Sequence, residues 1–153
     1  VSWNDAKEFC DWLTKKERAE GKIRAGQSYR LPREVEWSQA VGSTKYPWGD
    51  EWPPPSGAGN YGSRLDVDSY AWTSPVGSFN ANRFGIYDLG GNAWELCEDE
   101  YLPDSGDRVL RGASWDDFSP GFLLSSFRNS SSRPGHRCSD VGFRCVLVVG
   151  ASP

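Results

Sequence analysis

Residues 46–63 read YPWGDEWPPPSGAGNYGS, and no helix or sheet interior accepts such a run. Proline lacks the N–H that either regular state needs, and glycine forfeits the most backbone entropy when it is fixed. The same loop-like character extends from Ser43 to Asp107, so much of this chain must fold without regular secondary structure. The side chains suit a loop-built fold, since eight Trp, seven Phe and six Tyr accompany 17 Gly and 10 Pro, a mixture that favours short elements joined by long, aromatic-packed loops. At 153 residues the chain fits one domain (1–153) that can bury a core without staples. So long a connection inside one domain means either that regular structure is hidden in it or that something else organises its loops, a metal ion being one such organiser.

Regular elements are legible on either side of that stretch. Ala6, Phe9, Cys10 and Leu13 have helical spacing within a helix expected over 4–20, with Ser2 or Asn4 able to cap it and Gly21 able to end it. A second helix is signalled by LPREVEWSQAVG, where Pro32 suits the first turn, Glu34 and Glu36 lie near the positive end, and Trp37, Ala40 and Val41 share a face. Strands are expected at 108–112 and 141–149, where β-branched and aromatic residues gather. The fold class is therefore α+β, with two helices, a small antiparallel sheet and high loop content.

A net charge of −4 and the absence of a basic run argue against nucleic acid or a membrane surface as partner, and no apolar stretch is long enough to insert into a bilayer. Cys10, Cys97, Cys138 and Cys145 are too unevenly placed for a disulfide framework or a Cys-x-x-Cys zinc site, so buried free thiols are expected. The opening VSWNDA has no Met and no signal layout, and reads as the start of a processed piece. That end gives no compartment; the unpaired cysteines lean to the cytoplasm.

Six blocks, VSWNDAKEFCDWL, YRLPREVEWSQAV, YPWGDE, SPVGSFNANRFGIYDLGGNAWEL, RVLRGASW and VGFRC, resemble in order and spacing the formylglycine-generating-enzyme (sulfatase-modifying factor) superfamily. The resemblance covers nearly the whole chain and implies a variant of the C-type-lectin fold, with the family's usual opening segment missing before VSW. Its oxidases carry two cysteines, the first three residues after the Ser of Gly-Gly-Ser-aromatic and the second five further on, which bind copper. Those positions hold Asp117 and Phe122, so neither copper nor sulfatase-activating chemistry is expected. The superfamily's iron-dependent sulfoxide synthases need a histidine set, and this chain has one His.

The 25 residues between Trp115 and Val141 use only Asp, Ser, Phe, Gly, Pro, Leu, Arg, Asn, His and Cys. Lys, Glu, Gln, Met and Trp are missing there, although residues 1–115 hold five Lys, nine Glu, two Gln and eight Trp. The missing types are those that no codon ending in C encodes. This pattern resembles the variable region of a diversity-generating retroelement, in which template adenines are replaced at random during reverse transcription and AAC codons scatter into this set. The resemblance implies a non-enzymatic ligand-binding domain whose segment 116–140 is a diversified recognition surface for a protein partner. The scattered positions would be Asp116, Asp117, Phe118, Ser119, Gly121, Phe122, Phe127, Asn129, Ser130, Ser131, Ser132, Gly135, His136, Cys138, Ser139 and Asp140; Leu123, Leu124, Ser125, Ser126, Arg128 and Arg137 would be fixed. Exposed Phe118, Phe122 and Phe127 would serve as apolar anchors among adaptable polar contacts. The alternatives are a non-catalytic sulfatase-modifying-factor paralogue with a fixed partner and, less favoured, an oxidase of the formylglycine-generating type.

The resemblance also implies structural calcium. One set is Asn60, the carbonyl of Tyr61, Asp68 and the carbonyl of Tyr70; the other is Asp88, the carbonyls of Gly91 and Ala93, and Glu95. Oxygen-only ligands from loops suit that ion. The bland alternative is that these carboxylates cap loops. His136 is expected to be a contact residue, and the run Glu98, Asp99, Glu100 a solvated face.

Overall fold

The computed structural model describes residues 1–131 and 133–150, with Ser131 described in its backbone only. Helix α1 spans Trp3–Ala19 and starts where the sequence signals it: Ser2 Oγ accepts from the N–H of Asp5, and Asp5 Oδ2 accepts from the N–H of Ser2. This reciprocal pair satisfies two of the donors that a helix start leaves orphaned. Ala6, Cys10 and Thr14 face the core. Phe9 does not; it lies on the outer face of α1 against Trp12 and Phe143, because the core stripe follows the i, i+4 row through Cys10.

Strand β1 (Gln27–Arg30) docks on α1 through Thr14, whose hydroxyl accepts from Tyr29 N–H at 2.8 Å while donating to Cys10 O. Helix α2 (Glu34–Val41) follows; its first N–H groups are met by Glu36, which accepts from Arg33, and by Asp99, which accepts from Glu34 at 2.6 Å. Trp37 and Val41 are its buried face. Beyond a 3-10 turn at Ser63–Leu65 come β2 (Trp94–Glu100), β3 (Arg108–Arg111), β4 (Asn129–Ser131), β5 (Val141–Gly142) and β6 (Val146–Val149).

Two sheets result: antiparallel β1–β6, and a four-stranded sheet ordered β4-β3-β2-β5 in which β2 and β5 run parallel. The expected strand over 141–149 is thus divided between two sheets. Val141–Gly142 closes the larger one and Val146–Val149 turns away to pair with β1. Strand β2 lies inside the stretch that reads as loop. Its first four residues are buried, and its acidic end is not a solvated face: Glu98 pairs with Lys7, Asp99 holds the start of α2, and Glu100 accepts from Asp104 N–H. Partners distant in sequence make that run a strand, which local pattern could not reveal.

The loops between α2 and β2 are ordered by rings and buried amides. Tyr46 stacks on Trp48 at 4.7 Å, and Trp48 meets the edge of Tyr61 at 5.3 Å. Asn92 accepts from Ser74 N–H at 2.9 Å and from Asn60 Nδ2 at 3.3 Å, while its backbone N–H donates to Asn60 O at 2.7 Å. Gly91 (φ 77°) stands where any Cβ would collide with the Asn60 carbonyl. The main core joins Ala6, Cys10, Leu31, Tyr61, Trp94, Leu96, Leu110 and Leu123; a second cluster gathers Trp37, Val41, Leu89, Cys97 and Val109. Cys10, Cys97 and Cys145 are buried or half-buried, whereas Cys138 is exposed, contrary to the expectation of four buried thiols. No helix among the described residues is long and apolar enough to cross a membrane.

Candidate recognition surface

Segment 112–145 leaves β3 with Gly112 (φ 95°) and Ala113 (φ 64°), whose left-handed backbones turn the chain back across the loops. Its path is then pinned at intervals. Asp117 Oδ2 accepts from both the N–H and the hydroxyl of Ser114, at 2.9 and 2.7 Å, and the Asp117 carbonyl accepts from Gly62 N–H at 2.8 Å. The backbones approach closely there, since a Cβ added to Gly62 would stand 3.0 Å from Asp116 O. Burial raises the Asp117 carboxyl above the usual aspartate range, against the lowering effect of the Ser114 hydrogen bonds.

Further along, Leu123 is 1% exposed and enters the main core. Ser125 is buried, and its carbonyl accepts from Arg111 at 2.6 Å while its N–H donates to Lys45 O. Arg111 is itself buried; it also reaches Glu34 and Ser38 Oγ, and burial lowers its affinity for a proton, offset by Glu34. Arg128 makes two bonds to Glu34 at 2.7 and 2.9 Å and covers Tyr101. Asn129–Ser131 pair with β3 as β4, a strand within the segment that its composition conceals. The Pro134 carbonyl accepts from Asn4 N–H, Arg137 grips Asp5 through two bonds, and the Asp140 carbonyl accepts from Trp94 N–H at 2.8 Å.

Between these pins the side chains turn outward. Asp116, Phe118, Gly121, Phe122, Gly135, His136, Cys138 and Ser139 are exposed; Ser119, Asn129, Ser130 and Asp140 are half-buried. Phe118, 40% exposed, lies under the Arg64 guanidinium at 4.3 Å, and Phe122, 47% exposed, leans on Phe127 at 5.1 Å. Phe127 itself is half-buried against the core, tilted on Trp94 at 6.0 Å, so it supports the surface more than it decorates it. Asp117 likewise turns its side chain into the loop, onto Ser114. Ser132 lies outside the described residues, as does the side chain of Ser131.

Two residues far upstream extend this face. Trp72 is 67% exposed and meets Trp115 edge to face at 4.7 Å, and Arg64 covers Phe118. Nothing in their local sequence marks them, because the loop path alone brings them beside the segment.

The two oxygen sets differ in their present engagement. In the first, Asp68 accepts from Tyr61 and Tyr70 N–H, and the fully buried Asn60 Oδ1 has no hydrogen-bond partner. An orphaned buried oxygen at Asn60, whose chain neighbour Tyr61 is bound by the Asp68 carboxylate, fits a hard cation. In the second, both oxygens of Glu95 are held by Arg144, Trp37 Nε1 donates to Oε2 at 2.7 Å, and Asp88 Oδ2 accepts from Gly77 N–H. Arg144 also reaches the carbonyls of Tyr87 and Asp88, so a guanidinium already balances that carboxylate and the set does not fit a second cation as folded. Among the described residues no group of three or more His, Cys, Asp or Glu could hold a metal by side chains alone.

The family model for the sulfatase-modifying factor enzyme 1-like domain, of formylglycine-generating-enzyme type, matches residues 1–149. The chain belongs to that family. It is 35% identical over 167 residues to the inactive C-alpha-formylglycine-generating enzyme 2 of Bos taurus, a match covering 100% of this chain and 50% of the relative. It is 28% identical over 178 residues to the formylglycine-generating enzyme of Streptomyces coelicolor, covering 95% of this chain and 51% of that one. The chain therefore spans about half the length of these curated relatives. Treponema denticola variable protein 1 superposes with a TM-score of 0.78 at 27% identity, over 96% of this chain and 69% of that one.

Likeness to an inactive enzyme and to a variable protein supports a non-catalytic domain of the formylglycine-generating-enzyme family. At the positions where the resemblance places the copper-binding cysteines, Asp117 is engaged by Ser114 and Phe122 offers no ligand atom. These residues do not fit copper(I), which takes soft thiolate ligands.

Proposed function

We propose that this domain binds a protein ligand without catalysis, through a surface formed by residues 116–140 and diversified by a retroelement. The observation that carries the reading is the division of labour along the segment. Its backbone is held by Gly62, Arg111, Asn4 and Trp94 from outside it, while Asp116, Phe118, Phe122, His136 and Ser139 are exposed between the pins. A surface held in this way accepts new side chains without losing its path, and binding does not include the cost of ordering a free loop, about 1–2 kcal/mol per residue. Phe118 and Phe122 would anchor the ligand, with Ser, Asn and Asp as adaptable contacts.

The test has a genetic and a biophysical arm. A near-copy of the DNA for residues 108–145, beside a reverse transcriptase and differing only at adenines, would establish diversification. Simultaneous replacement of Asp116, Phe118, Ser119, Phe122 and Ser139 should leave the fold intact; unfolding of that variant would sink the reading. The 35% identity to an inactive paralogue over the whole chain favours a second reading, a fixed partner. That reading gains if no copy is found and one cognate protein is captured by the wild-type surface and lost by the same variant.

We further propose that the Asn60, Tyr61, Asp68, Tyr70 set holds a structural calcium, for which waters would complete the roughly six to eight ligands. Its chemistry would be to tie the 60–70 loop beneath Trp72 and Arg64.

A further inference from the structure

Cys138 is the one exposed thiol among the four cysteines, and its Sγ lies 3.5 Å from His136 Nε2. Backbone hydrogen bonds at Pro134 and Asp140 fix the chain on either side of the pair, and between them the Arg137 side chain reaches Asp5. Beside the pair is a cavity of about 150 Å³ with Trp94, Leu96, Leu110 and Val141 on its apolar side and Asn129, Ser130 and Asp140 on its polar side. A thiol, an imidazole and a recess with one apolar side are thus adjacent, an arrangement that suits nucleophilic sulfur chemistry.

We propose that Cys138 is a nucleophilic thiol, served by His136, that exchanges with small apolar disulfides seated in this recess. The step is balanced without any further reagent. The Sγ proton passes to His136 Nε2, and the Cys138 thiolate attacks one sulfur of the disulfide. A bond forms between Sγ and that sulfur as the ligand's S–S bond breaks. The departing thiolate leaves with the electron pair and takes the proton back from the imidazolium. The ligand is the oxidant and is reduced by half, to one free thiol. The apolar side of the recess and the Asp140 carboxylate favour a neutral aromatic or aliphatic disulfide over an anionic one. Cys10, Cys97 and Cys145 do not compete: burial pushes the Cys10 thiol up to about 12 and raises the other two, so none forms thiolate readily. The inference deepens the recognition surface by giving it a covalent foothold, but its test does not depend on diversification or on any protein ligand.

The experiment is stopped-flow exchange of the native, reduced protein with 4,4′-dithiodipyridine, followed by peptide mass mapping, with charged oxidised glutathione as the comparison probe. The expected result is one fast thiol per chain, mapped to Cys138, lost in Cys138→Ser, and slowed at least fivefold in His136→Asn at neutral pH. In denaturant the wild type and His136→Asn should react alike, which shows that the difference belongs to the folded pair. Oxidised glutathione should react at least tenfold more slowly relative to its rate with a small free thiol. A fast thiol that persists in Cys138→Ser, a rate unchanged by His136→Asn, or equal relative rates for the two disulfides would each overturn the proposal. A protein that labels as expected yet has no retroelement copy keeps this site and loses diversification; the converse outcome separates them equally.

Discussion

Phe122 and Leu123 are neighbours in sequence and opposite in fate, and truncating each to Ala tests the division between display and anchorage. Leu123 is 1% exposed within the main core. Deleting such a side chain loses its transfer free energy and leaves a void, together roughly 2–5 kcal/mol; we place Leu123→Ala at about 3 kcal/mol. Phe122 is 47% exposed, and its ring contact is Phe127 at 5.1 Å. An aromatic pair contributes about 0.5–1.5 kcal/mol, so Phe122→Ala should cost about 1 kcal/mol. At roughly 2–4 °C per kcal/mol for a chain of this size, the melting temperatures should fall by about 6–12 °C and about 2–4 °C respectively. Urea denaturation followed by Trp fluorescence reads the same difference, provided the two variants share one denaturant slope. If Phe122→Ala costs as much as Leu123→Ala, then residue 122 belongs to the core and the alternation of pins and displayed side chains is wrong.

Other consequences can be checked alongside it. Arg111→Ala should destabilise by roughly 3–5 kcal/mol, since it leaves Glu34 and the Ser125 carbonyl without their buried donor, whereas Arg137→Ala, removing an exposed pair, should leave the melting temperature nearly unchanged. The Glu36 carboxylate, held by Arg30 and to a lesser degree by Arg33 N–H, is lowered from 4.5 to about 2. A carboxyl depressed by folding stabilises above its unfolded value and loses that contribution as pH falls, so between pH 4.5 and about 2 the wild type should lose melting temperature more steeply than Glu36→Gln. Calcium should raise the melting temperature of the wild type and not that of Asn60→Ala paired with Asp68→Ala; an equal rise in both would refute the first oxygen set. A cysteine-containing peptide supplied with copper and oxygen should yield no aldehyde beyond a protein-free control, and its conversion to an aldehyde would refute a non-catalytic domain.

Local signals served well where local physics decides. Ser2 and Asp5 form a capping box because both partners lie within one turn, and of the four positions whose spacing marks α1, Ala6 and Cys10 are buried while Phe9 and Leu13 are not. The six sequence blocks carried the family. Strand β2 is hidden from local pattern because Glu95, Glu98 and Asp99 find their partners in Arg144, Lys7 and the start of α2, none of which a window around them contains. Strand β4 is hidden because Asn and Ser favour turns in isolation and become strand only when β3 supplies the ladder.

The sequence by itself determined the family, the two helices, the loop-built character of the middle and the biased composition of 116–140. Those follow from backbone chemistry and from order along the chain. Which side chains of that segment point out was decided only in three dimensions. Phe127 turns in to Trp94 and Asp117 to Ser114, Trp72 and Arg64 arrive from an upstream loop, and Cys138 meets His136 beside a recess with one apolar side. The reason is that outward and inward in an irregular loop have no sequence period. They are set by distant groups such as Gly62, Arg111, Asp5 and Trp94, whose hydrogen bonds close only when the whole chain has folded.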